Sequence, residues 1–282
     1  MPEVRLVIPE DLDRALDAAI KAGFAGNKAE LARTALTQWL STVPTQLSRG
    51  YDLETAFSPD GRIFQLEYAA ESMKRGGAIV GVCCDYGVAL AKELPNLASA
   101  SDPFIVVPNP FAQTFKLGQD MGIVHCGILA DGYFLVEEAR KMVNAVEDKD
   151  KMNVEALATK LTIFMQPYAQ RKDVRPFATT LIVGGLDQER KPRLFLLNSA
   201  GLSQEYKACH AGIGTDKAKE ILRAGYKQSL KLEEAAALAV RAALREPREP
   251  GDVLLAVIDA KAERFREIAL PEKERMWKKV FS

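Results

Sequence analysis

The stretch Phe57-Ser-Pro-Asp-Gly-Arg-Ile-Phe-Gln-Leu-Glu-Tyr-Ala-Ala-Glu-Ser-Met-Lys-Arg-Gly-Gly77 constrains the fold more than any other part of the chain. Pro59 fixes one backbone dihedral and Gly61 accepts a positive φ, so Pro59-Asp60-Gly61 predicts a tight turn. Ile63, Leu66, Ala70 and Met73 then recur at i, i+3, i+7 and i+10, with Phe64 and Tyr68 widening the stripe. This spacing predicts a helix lying on an apolar surface, stopped by Gly76-Gly77. Such a helix needs a large apolar partner.

The chain after Gly77 supplies one. Apolar runs predict strands at 78–84, 88–91, 104–107, 114–117, 121–126, 179–186, 193–198, 204–209, 253–259 and 263–268. Amphipathic stretches at about 131–147, 153–170, 216–227 and 232–244, with a closing helix from Pro271, predict the helices. Strands alternating with paired helices imply an α+β architecture in which antiparallel sheets are covered by helices on both faces. Lysine plus arginine and aspartate plus glutamate number 38 each, so no net field selects a polyanionic partner. Cys83, Cys84, Cys126 and Cys209 lie in apolar runs without metal-ligand spacing and are expected to be buried free thiols of a reducing compartment. No apolar run reaches the roughly 18 residues of a membrane span, so a cytoplasmic protein without a membrane partner is expected.

The first 50 residues form a different kind of chain. Val4 to Ile8 predict a short strand closed by Pro9. Leu12, Ala15, Leu16, Ala19 and Ile20 predict a helix over 10–22 ended by Gly23. Asn27 and Glu30 form a capping box opening a second helix, whose apolar face is Ala32, Ala35, Leu36, Trp39 and Leu40. So small a unit cannot bury its own core, and Leu12, Leu16, Ile20, Leu36, Trp39 and Leu40 are expected to form a dimer contact. The strand-helix-helix order resembles the ribbon-helix-helix domains of small repressors and antitoxins, in which paired strands enter the DNA major groove. In that arrangement Leu6 and Ile8 face inward, while Glu3, Arg5 and Val7 face out, which makes Arg5 the candidate DNA contact. One arginine is a thin recognition surface, and residues 1–50 hold six basic and six acidic side chains, so dimerisation is the preferred role and DNA binding the lesser one. Residues 43–50, with Pro44 and Gly50, read as a linker between a 1–42 domain and a 51–282 domain.

Tyr51-Asp52 followed by FSPDGRIFQLEYAAESMKRGG resembles the amino-terminal signature of proteasome α-type subunits of the archaeal and eukaryotic kind. Gly127-Ile-Leu-Ala-Asp131, Val174-Arg-Pro-Phe177 and Asn198-Ser-Ala-Gly-Leu-Ser-Gln-Glu-Tyr-Lys207 extend the resemblance to about residue 270. It implies the four-layer αββα sandwich of the N-terminal nucleophile hydrolases and a non-catalytic subunit of a homo-oligomeric ring or scaffold that gates a β-type peptidase partner. In catalytic relatives a threonine, serine or cysteine becomes the first residue, and its α-amine acts as base. Here that position reads Gly76-Gly77-Ala78 behind a long extension. Glu93 falls near the place of the catalytic acid and Gln113 near that of the lysine; an isolated Glu93 reads as a solvated carboxylate. No cofactor or metal is expected. His125 and His210 each sit beside a cysteine in apolar surroundings and read as packed, hydrogen-bonded core.

The same resemblance names Tyr51, Asp52 and Pro59 as gate residues, with Leu53 standing where the family has an arginine. It also names a pocket for the C-terminal tails of regulatory ATPases. There Gln113 replaces a lysine and Ala70 an arginine, while Gly127 persists, so tail docking is expected to be weak or absent. Arg171-Lys172-Asp173 stands where archaeal members carry an aromatic and glycines in the pore-lining loop. The glycine-rich 211–216 segment reads as a strand-to-helix turn capped by Thr215 or Asp216. Residues 261–282, with seven basic and four acidic side chains, read as solvated surface. The alternative functions are a DNA-associated regulator that uses the α-like body to oligomerise and, less favoured, a divergent N-terminal nucleophile hydrolase.

Overall fold

The computed structural model describes residues 7–42, 57–58, 60–74, 76–94, 114–146, 152–171 and 173–280, with side chains at 38–42 and 278–279 left aside. The expected strands at 4–8 and 104–107 and the linker at 43–50 fall wholly or mostly outside these residues. Two compact units appear, Met1–Leu53 and Glu54–Ser282.

In the first unit, α1 (Glu10–Lys21) and α2 (Lys28–Thr42) follow the sequence pattern. Glu10, Asp11 and Asp13 sit in the first turn of α1 and Lys21 in the last, in keeping with the helix dipole. The Glu30 amide donates to Asn27 Oδ1 at 2.8 Å, and the Glu30 carboxylate accepts from the Gly26 amide at 2.9 Å, one residue further back than an ordinary capping box. No residue of α1 is buried, and Leu12 and Leu36 remain 48% and 45% exposed.

In the second unit, α3 (Phe64–Met73) precedes two five-stranded sheets. The first sheet has the order β10 (Arg264–Glu267), β9 (Val253–Asp259), β2 (Gly87–Glu93), β1 (Ile79–Cys84), β8 (Ala208–Ala211). The second has the order β3 (Phe115–Leu117), β4 (Met121–Gly127), β5 (Thr179–Leu186), β6 (Pro192–Leu197), β7 (Ser203–Glu205). All the pairings are antiparallel. Strands buried along their whole length, such as Ile79–Cys84 and Thr179–Leu186, are what a sheet covered on both faces requires.

Three apolar clusters make the four layers. Ile79, Val88, Leu90, Val124, Ile182 and Ile258 lie between the sheets. Val80, Val82, Ala89, Ala91 and Val257 pack the first sheet against α6 (Thr215–Gly225), α7 (Leu232–Leu244) and α8 (Leu270–Val280). Ile123, Leu181, Val183 and Leu197 pack the second sheet against α4 (Leu129–Asn144) and α5 (Val154–Gln170). The expected α+β, four-layer αββα sandwich is therefore present.

Four local expectations change. The single strand expected at 204–209 is two strands in different sheets: the Tyr206 amide donates to Leu194 of β6 at 2.9 Å, and the Lys207 carbonyl accepts from Cys83 of β1 at 2.8 Å, so the chain crosses between sheets at this dipeptide. Helix α3 buries Phe64 and Ala69, whereas Leu66, Ala70 and Met73 are only half-buried. Helix α6 is capped by Gly214, at φ 72°, and the Thr215 hydroxyl donates back to the Gly212 carbonyl at 3.0 Å, so neither Thr215 nor Asp216 is the cap. Residues 270–280 are not wholly solvated: Val280 and Lys273 are buried, and Trp277 Nε1 donates to the Arg248 carbonyl at 2.9 Å.

Candidate functional site

The two sheets end together where β1 begins. In Gly76-Gly77-Ala78 a Cβ on Gly77 would stand 2.6 Å from the Glu93 carbonyl oxygen, and one on Gly76 would stand 2.6 Å from the Gly127 amide nitrogen. Real Cβ atoms do not approach backbone so closely, so both glycines are required by close passage of the chain. The place where a nucleophilic side chain would project is filled by main chain.

Glu93 is not the solvated carboxylate that its position after an apolar strand suggested. It is 4% exposed, accepts from the Ala78 amide at 3.0 Å, and faces Arg245 at 2.9 Å and Arg248 at 3.1 Å. Side chains alternate along a strand, so Glu93 shares the face of Ala89 and Ala91 that packs under α7. The arginines come from the end of that helix and the segment after it. Arg245 closes α7 in the left-handed region at φ 62°, costly for a residue with a side chain, and its guanidinium also donates to the carbonyls of Ala243 and Ile213 at 2.6 and 3.1 Å. A carboxylate with this many donors is held as a structural node rather than as a free base.

Lys92, on the opposite face of β2, is the ionisable group that sequence reasoning missed. It is 5% exposed among the inter-sheet residues, and burial pushes its ammonium down to about 8, with the neighbouring Cys126 acting weakly the other way. A lysine that prolongs the apolar run Gly87-Val-Ala-Leu-Ala was the available signal. All four cysteines are buried free thiols; burial raises the thiols of Cys83 and Cys126 to about 12, which leaves them inert as nucleophiles. His125 is fully buried and stacks on Phe115 with ring centroids 5.8 Å apart. His210 departs from the expected hydrogen-bonded core: it is half-buried, and its Nδ1 has no hydrogen-bond partner among the described residues. No trio of metal-ligating side chains converges among the described residues.

The motifs downstream hold this end together. Asp131, at the start of α4, accepts two hydrogen bonds from Arg175 at 2.6 and 2.7 Å and one from the Ala178 amide at 2.8 Å. Burial pushes its carboxyl up, but those donors outweigh it and hold it below the usual range. Asn198 Oδ1 accepts from the amides of Ala200 and Leu202, shaping a turn with Gly201 at φ 70°.

Of the other expected site residues, Arg5, Tyr51, Asp52, Leu53, Pro59, Gln113 and Lys172 lie outside the described residues, as do the side chains of Trp39 and Leu40. Ala70 is half-buried on α3. Gly127 ends β4 at φ 106°, flush against the Ala178 carbonyl and beside Gly76. No helix among the described residues is long and apolar enough to cross a membrane.

Comparison with known proteins agrees with this architecture. The proteasome subunit family model matches residues 73–247, and the model of the N-terminal signature of A-type proteasome subunits matches residues 51–71. The chain is 35% identical over 233 residues to the proteasome alpha subunit of Methanothermobacter thermautotrophicus, covering 80% of this chain and 91% of that protein. It is 34% identical over 239 residues to the proteasome alpha subunit of Methanobrevibacter smithii, covering 83% and 93%. The proteasome alpha subunit of Thermococcus sibiricus is also 34% identical over 239 residues, covering 83% and 88%. The chain thus belongs to the proteasome subunit family as an α-type member, a non-catalytic component with a scaffolding and gating role in a proteasome-like assembly.

Proposed function

We propose that this protein assembles with copies of itself, admits substrates to a β-type peptidase partner, and uses its N-terminal unit to join one copy to another. The strand end at Gly77, filled by main chain, supports a role beside a peptidase rather than as one. The N-terminal role is carried by α1 and α2, whose apolar face at Leu12, Leu16, Ile20 and Leu36 is not buried by the described residues of its own unit. Trp39 and Leu40 extend that face in sequence, and a second copy of the ribbon-helix-helix-like unit would bury it.

Pairing in twos does not divide evenly into the seven-membered ring that resemblance to proteasome α-type subunits implies. Two rings joined face to face, an even-membered ring or an unclosed dimer would satisfy every contact. Removing residues 1–48 is therefore expected to reduce the number of copies in the particle, counted by native mass spectrometry alone and with a β-type partner. A particle with the same number of copies would end the proposal.

DNA binding through Arg5 is the weaker alternative. A helix N-terminus is where phosphate would dock, yet at α2 the Glu30 carboxylate already accepts from the Gly26 amide. Lys28 is engaged by Asp13 at 2.6 Å and Asp17 at 3.0 Å, and the first turn of α1 is acidic. These contacts favour a protein partner.

Tyr51, Asp52 and Pro59 are proposed as the gate, altered by Leu53. With Gln113 and Ala70 at the positions where the family resemblance implies cations, each lost charge-assisted contact to a carboxylate forfeits about 1.5–3 kcal/mol. A synthetic regulatory-ATPase tail peptide is thus expected to leave peptide hydrolysis by a reconstituted particle unchanged. Clear stimulation would show that the pocket works without those cations.

A further inference from the structure

Glu93 meets three separate parts of the fold beside Gly76-Gly77, which lie within the 74–78 connection between α3 and β1. One route from it is direct: Oε2 accepts from the Ala78 amide at 3.0 Å, immediately after the two glycines. A second runs through Arg245, whose Nη2 reaches Glu93 and whose Nη1 donates to the Ile213 carbonyl at 3.1 Å. The Ile213 amide in turn donates to the Gly76 carbonyl at 3.2 Å, and the Gly76 amide donates to Met73, the last residue of α3, at 3.1 Å. Gly214 lies flush against the Arg245 side chain, which leaves the guanidinium little room to turn away. Arg248 completes the set at 3.1 Å, its own carbonyl held by Trp277 of α8.

We propose that Glu93 is a positioning residue: its carboxylate clasps the Gly76-Gly77 hinge and thereby fixes the seat of α3 on the strand ends. Gly76 and Gly77 pass flush against the Gly127 amide and the Glu93 carbonyl with no side chain of their own to wedge them there, so their seat depends on the bonds made by neighbouring atoms. Main chain contributes, with the Glu93 amide donating to the Ala78 carbonyl at 2.8 Å, and the side-chain groups beside it, Arg245 and Arg248, converge on the Glu93 carboxylate. Helix α3 itself contributes little to holding its own angle, since it buries only Phe64 and Ala69 and adds the Thr180 hydroxyl contact to Met73 Sδ at 2.8 Å. The position that bears acid chemistry in catalytic relatives would here serve mechanical registration of a surface helix. Glu93 has this role whether or not the N-terminal unit joins copies.

Amide hydrogen exchange on the full chain tests it, comparing peptides that cover 62–78 with peptides that cover β5 as the internal reference. Glu93→Gln is expected to speed exchange in 62–78 by roughly tenfold or more while β5 is unchanged, as for a local opening. Glu93→Asp, which keeps the charge, is expected to recover part of the protection. Equal acceleration in both regions would assign Glu93 to general core stability, and no acceleration in 62–78 would remove the clasp; either result overturns the proposal. Should Glu93→Gln fail to fold, Arg248→Gln at the more exposed edge must still accelerate 62–78 selectively, by a smaller factor, for the proposal to survive.

Discussion

The Gly77→Thr variant is expected to hydrolyse no peptide and to lose about 3 kcal/mol of stability, an overpacking cost at the upper end for an added side chain. The substitution places a hydroxyl at the position of the missing nucleophile. Three observations oppose activity. The Cβ would meet the Glu93 carbonyl at 2.6 Å, and that atom is main chain within β2, which cannot swing aside as a side-chain end could. The adjacent Ala78 amide is already committed to Glu93 Oε2. A threonine preceded by 76 residues has no free α-amine to take its proton. A fluorogenic peptide assay on the isolated variant and a denaturant midpoint measure the two effects. Turnover above that of the wild-type chain, or an unshifted midpoint, would show that the strand end is open.

The sheet and helix pattern was legible because most of it is local. Apolar runs such as Thr179–Leu186 and Val253–Asp259 announce strands buried on both faces, and the helix at 232–244 is marked at both ends by its periodicity. What stayed hidden depends on residues far apart. Glu93 looks solvated in sequence because it follows the apolar part of its strand. Its partners at 245 and 248 lie some 150 residues later and are brought over it by the packing of α7. The split of the 204–209 run was also invisible, since Tyr206 and Lys207 differ from their neighbours only in which sheet their backbone joins. Conversely, the signature residues Asp131 and Arg175, 44 apart, acquire a physical role: their ion pair pins the start of α4 to the segment before β5. Family wording identified these positions, and packing explains them. The periodicity of residues 10–42 does correspond to the helices α1 and α2, and α1 has no buried residue.

Lys92→Met is expected to stabilise the protein by about 3 kcal/mol at pH 7, an unusual direction for a core substitution. Burial holds the Lys92 ammonium at about 8 against an ordinary value of 10.5, so the folded state carries the cost of a charge between the sheets. Below about 8 the lysine is charged in both states, and the penalty is present in full. Between about 8 and 10.5 the folded protein has released the proton while the unfolded chain retains it, so wild-type stability rises with pH and the gap to the variant closes. Above 10.5 both forms are neutral and the penalty is gone. Methionine keeps the unbranched shape without the charge, next to Leu90 and Val88 on the same strand face. The advantage of the variant in denaturant unfolding should therefore be largest at neutral pH and shrink as pH rises through 8 toward 10. An advantage independent of pH would trace the effect to packing alone. A loss of stability at pH 7 would show that the Lys92 ammonium is held by hydrogen bonds strong enough to offset its burial.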